Sequence, residues 1–170
     1  ANEFPFVCVC GAGAFMLWQS LLKRFVSLPK SKQTPIEASK LINEVVGHKT
    51  SSLVNLAEFW QSLEGARSSS FVIGTLLESP RGTNNKKLVN SMAEQWQPTS
   101  EEGNNADRLC GKLIRLSTSP DASMKAFLAL KTVMKPSKFI YSSLIGILRK
   151  TKRNDLIAPL WEEVKANRGT

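Results

Sequence analysis

Few residues in this chain belong to the types that carry out catalysis or bind metals, and they are widely spaced. The single histidine, His48, lies in a predicted turn, where its side chain is expected to be solvated. Cys8 and Cys10 are two positions apart in an apolar run, so on a helix they point apart, and Cys110 is far along the chain. Metal sites need several histidine, cysteine or carboxylate ligands at defined spacings. We therefore predict no metal site and no disulfide framework.

Paired carboxylates are the other arrangement that could support chemistry. Glu101-Glu102 and Glu162-Glu163 are neighbours in sequence, and neighbouring residues on a helix do not face each other. The sequence contains no nucleophile motif and no phosphate-binding loop. We predict that the protein is not an enzyme, that it has no catalytic residue and that it requires no cofactor.

The charge balance is strongly basic, with 23 Lys and Arg against 14 Asp and Glu, and a net charge of +9. Such an excess attracts polyanions, which include RNA, anionic lipid head groups and acidic protein faces. It does not choose among them. The partner class must therefore come from the arrangement of the chain.

An uncharged apolar segment of nineteen residues extends from Phe4 to Leu22. As a helix it would be roughly 28 Å long, close to the thickness of the hydrocarbon layer of a bilayer. Lys23 and Arg24 follow at once, and a basic flank holds that end where positive charge is retained. Bound lipid or pigment at this helix is compatible with the pattern. We predict a membrane anchor formed by Phe4, Phe6, Val7, Val9, Phe15, Leu17, Trp18, Leu21 and Leu22.

Three other interpretations of this segment stay open. It could be a retained signal-type apolar region, although Glu3 stands where a basic region is usual. It could be a buried core helix. It could also be a strand followed by a glycine turn, as in a dinucleotide-binding unit, but Met16 occupies the position of the third glycine. The chain begins at Ala1 rather than at methionine, so we expect that something upstream was removed.

Helical patterns follow one another after a polar linker at residues 27–33. Cap residues, first-turn prolines and apolar stripes at helical spacing mark each helix, and no alternating strand pattern occurs. Hairpins of two helices are predicted to start near residues 35, 68, 105 and 138. A regular period of this size is typical of helical solenoids.

The last hairpin resembles a pentatricopeptide repeat. Residues 139–153, FIYSSLIGILRKTKR, are similar to the first helix of that repeat, and LWEEVK at 160–165 is similar to the second. Lys152 departs from the family pattern by replacing the turn glycine, and Ala158 and Pro159 stand where helix formers are usual. The resemblance covers about residues 107–168 and is strongest at 139–165. The matching first-helix positions are Tyr141, Leu144, Ile145, Leu148, Lys150 and Arg153.

The preceding hairpin is less similar to the family. Leu113-Ile114 pairs with Leu144-Ile145, a separation that is short for the family but occurs in its shorter variants. The resemblance implies RNA binding, with one base read per repeat through polar first-helix positions. Ser142 or Ser143 is then the base-reading position, and two repeats reach about two bases. Affinity would depend on the basic residues Arg149, Lys150, Lys152 and Arg153, which could equally contact an acidic partner.

These patterns predict an all-α protein with an N-terminal transmembrane helix (1–26), a linker (27–33) and a basic helical-hairpin repeat domain (34–170). We expect a structural subunit of an energy-converting membrane complex, photosynthetic or respiratory, in the thylakoid or the mitochondrial inner membrane. Its partners would be other subunits of the complex and the lipid bilayer. The alternatives are a soluble RNA-binding or ribosome-associated protein and a transient assembly factor.

Overall fold

Every regular element among residues 19–47 and 55–168, the residues that the structure describes, is helical. The structure is a computed structural model. No strand occurs in these two ranges, which confirms the all-α class predicted from the sequence. The chain divides into two compact units, Ala1–Leu88 (unit 1) and Val89–Thr170 (unit 2). The assignment of residues 34–170 to one repeat domain stays a prediction.

Unit 1 begins, in its described part, with a helix at residues 19–27 that we call α1. The second helix starts where the sequence predicted it. Thr34 Oγ1 accepts a hydrogen bond from Glu37 N at 3.3 Å, and Pro35 takes the first helical position. The further helices of this unit are α2 (Pro35–Gly47), α3 (Leu56–Gln61), α4 (Ser70–Leu77), α5 (Pro80–Asn84) and the start of α6 (Lys86–Gln95).

The core of unit 1 forms where α2 packs against α4. Ile42, Trp60 and Leu76 are each at most 1% exposed. Because a buried indole needs a partner for its N–H, Trp60 Nε1 donates to the carbonyl oxygen of Arg67 at 2.9 Å. The observed cap of α3 is Asn55, whose side chain accepts from two backbone N–H groups.

Unit 2 holds the remainder of α6 and four further helices: α7 (Asn104–Leu116), α8 (Pro120–Lys131), α9 (Lys138–Lys150) and α10 (Asn154–Arg168). They form the hairpins α7/α8 and α9/α10, and α9 packs on both helices of the first hairpin. A Cβ atom at Gly111 on α7 would lie 3.4 Å from Ile140 Cδ1 on α9. On α8, the ring of Phe127 meets that of Tyr141 edge-on at 5.4 Å. The two hairpins are therefore stacked side by side.

Polar side chains near the helix ends hold this stack in register. Asp107 on α7 accepts hydrogen bonds from the backbone N–H (3.0 Å) and the hydroxyl (2.8 Å) of Ser137, the residue before α9. Asn90 on α6 accepts from the Ser117 hydroxyl at 2.9 Å and from Thr118 N at 3.0 Å, just after α7 ends. Each bond satisfies a backbone or hydroxyl group that a helix end would otherwise leave open.

The helix starts recur at a nearly constant spacing. The first helices of the hairpins begin at residues 35, 70, 104 and 138, close to the predicted starts. The spacing from Asn104 to Lys138, which we call the helix period, equals the spacing from Ser70 to Asn104. It recurs between the starts of the second helices, which are Lys86, Pro120 and Asn154.

The helix period differs from the spacing that the sequence predicted. Pairing Leu113-Ile114 with Leu144-Ile145 gives a shorter repeat. Under the helix period Leu113 on α7 aligns instead with Ile147 on α9. The two alignments differ by nearly one helical turn.

Two connecting stretches contain short helical turns. Pro80 starts α5 instead of only breaking a helix, and a Cβ atom at Gly82 would lie 1.9 Å from the Leu76 carbonyl oxygen. Only glycine fits there. Residues 97–105 contain a 3-10 turn at Ser100–Glu102, which Thr99 and Glu102 cap reciprocally.

Most of the predicted membrane anchor, residues 4–18, lies outside the described residues. Within 19–47 and 55–168, no helix combines the length and apolar character that a bilayer crossing demands. The last residues of the predicted anchor belong to α1, where Leu21 is 3% exposed. Leu21 lines a small cavity of about 250 Å³ together with Phe25 of α1 and Leu41 of α2. This end of the segment packs within unit 1.

Candidate functional site

A groove of about 630 Å³ runs along the last hairpin of unit 2, between α9 and α10. Its floor and walls come from α9, α10 and the turn before α9, and α7 and α8 contribute none of its lining residues. The lining residues are Lys135, Pro136, Lys138, Phe139, Tyr141, Ser142, Ile145, Trp161, Val164, Asn167 and Arg168.

Two aromatic side chains give the groove its apolar surface. Phe139 at the start of α9 is 72% exposed, and Trp161 on α10 is 40% exposed. Single exposed apolar residues are common on proteins, but aromatic side chains that share one concave surface mark binding sites more often. Leu160, the neighbour of Trp161, points the other way and is 3% exposed, because α10 buries that face against α9.

The rim of the groove is positively charged at one end. Lys135 lies in the turn before α9, Lys138 is the first residue of α9, and Arg168 lies at the end of the antiparallel α10. Lys138 Nζ is 5.7 Å from the centre of the Phe139 ring, within the range of a cation–π contact. No Asp or Glu is among the residues that line the groove. The lining of the groove therefore combines apolar area with positive charge.

A cluster around Tyr141 fixes the wall of the groove that lies nearest α8. The Tyr141 ring packs on Phe127, and Lys131 on α8 forms an ion pair with Glu163 on α10 beside it. Burial raises the pKa of the Tyr141 hydroxyl, and the nearby Glu163 carboxylate raises this pKa further. Asn167 bonds to the same hydroxyl. The cluster ties three helices together and leaves the tyrosine neutral.

The predicted base-reading positions differ in their placement. Ser142 is exposed and lines the groove near Phe139. Ser143 is half-buried and is not part of the groove lining. Of the two candidates that the sequence left open, the structure therefore brings only Ser142 into the site.

The predicted polyanion contacts lie at the opposite end of α9 from Lys138. Arg149, Lys150 and Lys152 are exposed. Arg153 bonds to Asp155 at 3.2 Å and to Asp121 at 3.3 Å. The hydrogen bond between Arg153 and Asp155 raises the pKa of the guanidinium and lowers that of the carboxyl. Arg153 thus holds two hairpin ends together, and the groove contains none of these four residues.

The predicted anchor and its flank are described only in part. Leu22 is half-buried, whereas Lys23 and Arg24 are exposed. Arg24 lies 3.4 Å from Glu44 on α2, an exposed ion pair that contributes little to stability. The other predicted anchor residues lie outside the described residues: Phe4, Phe6, Val7, Val9, Phe15, Leu17 and Trp18.

Of the histidine and the three cysteines, the structure describes only Cys110. His48, Cys8 and Cys10 lie outside the described residues. Cys110 is fully buried on α7, and burial together with the Asp107 charge raises its pKa to about 12. In residues 19–47 and 55–168, no three His, Cys, Asp or Glu side chains are grouped to hold a metal ion.

Comparison with known proteins gave no relative. No protein-family model, no curated protein sequence and no solved structure matches the chain. The pentatricopeptide resemblance therefore stays a prediction from the sequence.

The sequence did not single out the groove residues Lys135, Lys138, Phe139 and Arg168 as a site. From the sequence, Trp161 was placed only within LWEEVK, the stretch that is similar to the second helix of the repeat. A signal for the site was present in the helix period, because Trp161 falls one period after Phe127, a core residue covered by the next helix. Trp161 can be identified as the exposed equivalent of Phe127 only when the helix period is known.

Proposed function

We propose that this chain is a non-catalytic accessory subunit of a large organellar energy-converting membrane complex, photosynthetic or respiratory. Its apolar N-terminal segment would hold it at the membrane, and the helical hairpins of unit 2 would dock on a neighbouring subunit. The observation that carries the proposal is the α9/α10 groove. It offers exposed aromatic surface with positive charge at its rim, and aromatic side chains and arginine are enriched at protein interfaces.

The proposed anchor depends on the sequence of residues 4–22. This segment contains no charge and is followed directly by Lys23 and Arg24. Leu21, near the end of this segment, is buried against α2 and so does not face lipid. A spanning helix would therefore come from the residues before it, and unit 1 would lie close to the membrane surface.

Extraction of native organellar membranes at alkaline pH tests the anchor. We expect the chain to remain with the membranes after carbonate treatment. A Val9→Arg/Phe15→Arg double variant should be released, because each charge within a spanning helix costs about 3 kcal/mol. A Lys30→Arg/Lys32→Arg variant, which keeps the charge, serves as the matched control and should behave as the native chain.

Mild detergent extraction and size fractionation test the association with a complex. We expect the chain to migrate with one large membrane complex in stoichiometric amounts. Release of the native chain by carbonate would contradict the anchor. Migration at its own mass, or with the complex only in traces, would contradict the role as a resident subunit and favour a transient assembly factor.

RNA binding is the second candidate function, and one observation favours it. Ser142, the predicted base-reading residue, lines the groove beside the exposed ring of Phe139 and the ammonium of Lys138. Aromatic side chains stack on bases, and lysine binds phosphate. Ultraviolet crosslinking in cells tests this function. RNA recovered with the native chain and lost with Phe139→Ala would support it, whereas absence of crosslinked RNA would count against it.

A further inference from the structure

The α9/α10 groove has a filled counterpart in the preceding hairpin. The equivalent face of α7 and α8 is covered by α9. A Cβ atom at Gly111 on α7 would lie 3.4 Å from Ile140 of α9, and Phe127 on α8 lies 5.4 Å from the Tyr141 ring. Gly111 and Phe127 therefore mark the positions on a hairpin that receive the next helix.

The residues that lie one helix period after the two marker positions both line the groove. Ile145 is equivalent to Gly111, and Trp161 is equivalent to Phe127. The counterparts differ from the markers in two respects. Ile145 has a bulky side chain, 7% exposed, where α7 has glycine, so a helix on α9 would lie farther from it than α9 lies from α7, and Trp161 is less covered than Phe127. Phe127 is 1% exposed under α9, whereas Trp161 at the equivalent position is 40% exposed. The groove is a further copy of a helix-binding face, and no helix covers it within the described residues.

The charges of the groove select the kind of helix that fits. Ser137 before α9 bonds to Asp107 near the start of α7, so α7 and α9 run in the same direction. A helix placed on α9 in the same way would begin beside Lys135, Lys138 and Arg168. Acidic side chains are favoured in the first turn of a helix by its dipole, and here they would also meet three positive charges.

We propose that the α9/α10 groove binds an amphipathic helix of a partner protein, with acidic residues in its first turn, in the position that α9 occupies on α7/α8. This inference rests on the proposed docking function, because it names the part of the neighbouring subunit that unit 2 would recognise. Trp161 and Ile145 would receive the apolar face of that helix. Lys135 and Lys138 would pair with its acidic start.

Two synthetic peptides test the proposal against the full chain kept in a non-ionic detergent. Both have the length of α9, 13 residues, and repeat on one face the apolar spacing of Ile140, Tyr141, Leu144 and Leu148. One carries three glutamates in its first turn, and the other carries three lysines there. Fluorescence anisotropy of a label at the carboxyl end measures the two dissociation constants.

We expect the acidic peptide to bind saturably and about tenfold more tightly than the lysine peptide, since a difference of about 1.4 kcal/mol corresponds to that ratio. Lys138→Glu should weaken the acidic peptide by about tenfold. Arg149→Glu makes the same charge change on the same helix outside the groove and should leave binding unchanged. Trp161→Ala should weaken both peptides, with circular dichroism confirming that the helices remain.

Equal affinity for the two peptides, or equal losses from Lys138→Glu and Arg149→Glu, would overturn the proposal. So would a twelve-nucleotide uridine RNA that displaces the acidic peptide and binds more tightly, because the groove would then be a nucleic-acid site. A dimer in sedimentation that Trp161→Ala abolishes would assign the groove to a second copy and overturn it as well. The membrane extraction described above does not involve these peptides, so failure here is separate from failure of the proposed function.

Discussion

Cys110 occupies the interior of unit 2, where it is 0% exposed and lies near the carboxylate of Asp107 on the same helix. Desolvation disfavours the thiolate, and the negative charge of Asp107 disfavours it further, so the pKa rises from 9.0 to about 12. The thiolate is the reactive form of cysteine. Burial therefore makes this residue a small core side chain rather than a nucleophile.

This shift predicts a loss of stability at alkaline pH. The unfolded chain releases the thiol proton near pH 9 and the folded chain near pH 12. The stabilisation is therefore complete below pH 9 and is lost as the pH rises toward 12. Between pH 8 and pH 11 we expect the native chain to lose about 3 kcal/mol more of its unfolding free energy than Cys110→Ala.

Urea unfolding of the two proteins at both pH values measures this difference. Tyr141 has a raised pKa as well, but it is present in both proteins and so cancels in the comparison. Equal losses in the native chain and in Cys110→Ala would show that the thiol is not held neutral by the fold.

At the scale of elements, the turn between α9 and α10 has a left-handed backbone conformation at a residue that is not glycine. The pentatricopeptide pattern has a glycine where this chain has Lys152, and the backbone there takes φ +59°, a left-handed conformation. Glycine adopts this conformation freely, whereas for other residues it costs about 1 kcal/mol. The turn thus keeps the geometry that its sequence does not favour.

We expect Lys152→Gly to stabilise the protein by about 0.5–1 kcal/mol, because it removes this backbone cost. Lys150→Gly is the matched control, since it removes the same charge within the last turn of α9 and should destabilise by about 1 kcal/mol. Thermal unfolding of the three proteins measures both changes. A decrease in melting temperature for Lys152→Gly would contradict the strain assigned to this turn.

Helix positions could be predicted from the sequence because they depend on local signals. Cap residues and first-position prolines such as Thr34-Pro35 and Ser119-Pro120 fix where helices begin. The period could not be fixed in the same way. Leu113-Ile114 and Leu144-Ile145 look alike in sequence, but the helix starts make Leu113 equivalent to Ile147 in the repeat. Two registers that differ by nearly one turn bury almost the same helix face.

Most residues of the candidate site could not be predicted from the sequence. Ser142 was predicted from the family pattern, and it does line the groove. Lys135, Lys138 and Arg168 come from a turn and from two helix ends that meet only because α9 and α10 are antiparallel. Arg153 looked available for a polyanion in the sequence, yet the fold pairs it with Asp121 from the preceding hairpin.

At the scale of the whole molecule, each unit contributes one feature to the proposed role. Unit 2 stacks two hairpins and ends in an apolar groove with a basic rim. Unit 1 receives the end of the apolar N-terminal segment on α2. Together these features support a chain that is held at a membrane and docks on a neighbouring subunit through α9 and α10.

Chemical crosslinking in intact organellar membranes tests this central claim most directly. With a lysine-reactive crosslinker, we expect Lys135 and Lys138 at the groove to be joined to one subunit of a large membrane complex. Lys125 on α8, exposed and outside the groove, should give no such link and serves as the internal control. Docking through α9 and α10 would be contradicted if Lys135 and Lys138 gave no crosslink to another protein and reacted with a monofunctional lysine reagent as readily in membranes as in the isolated chain.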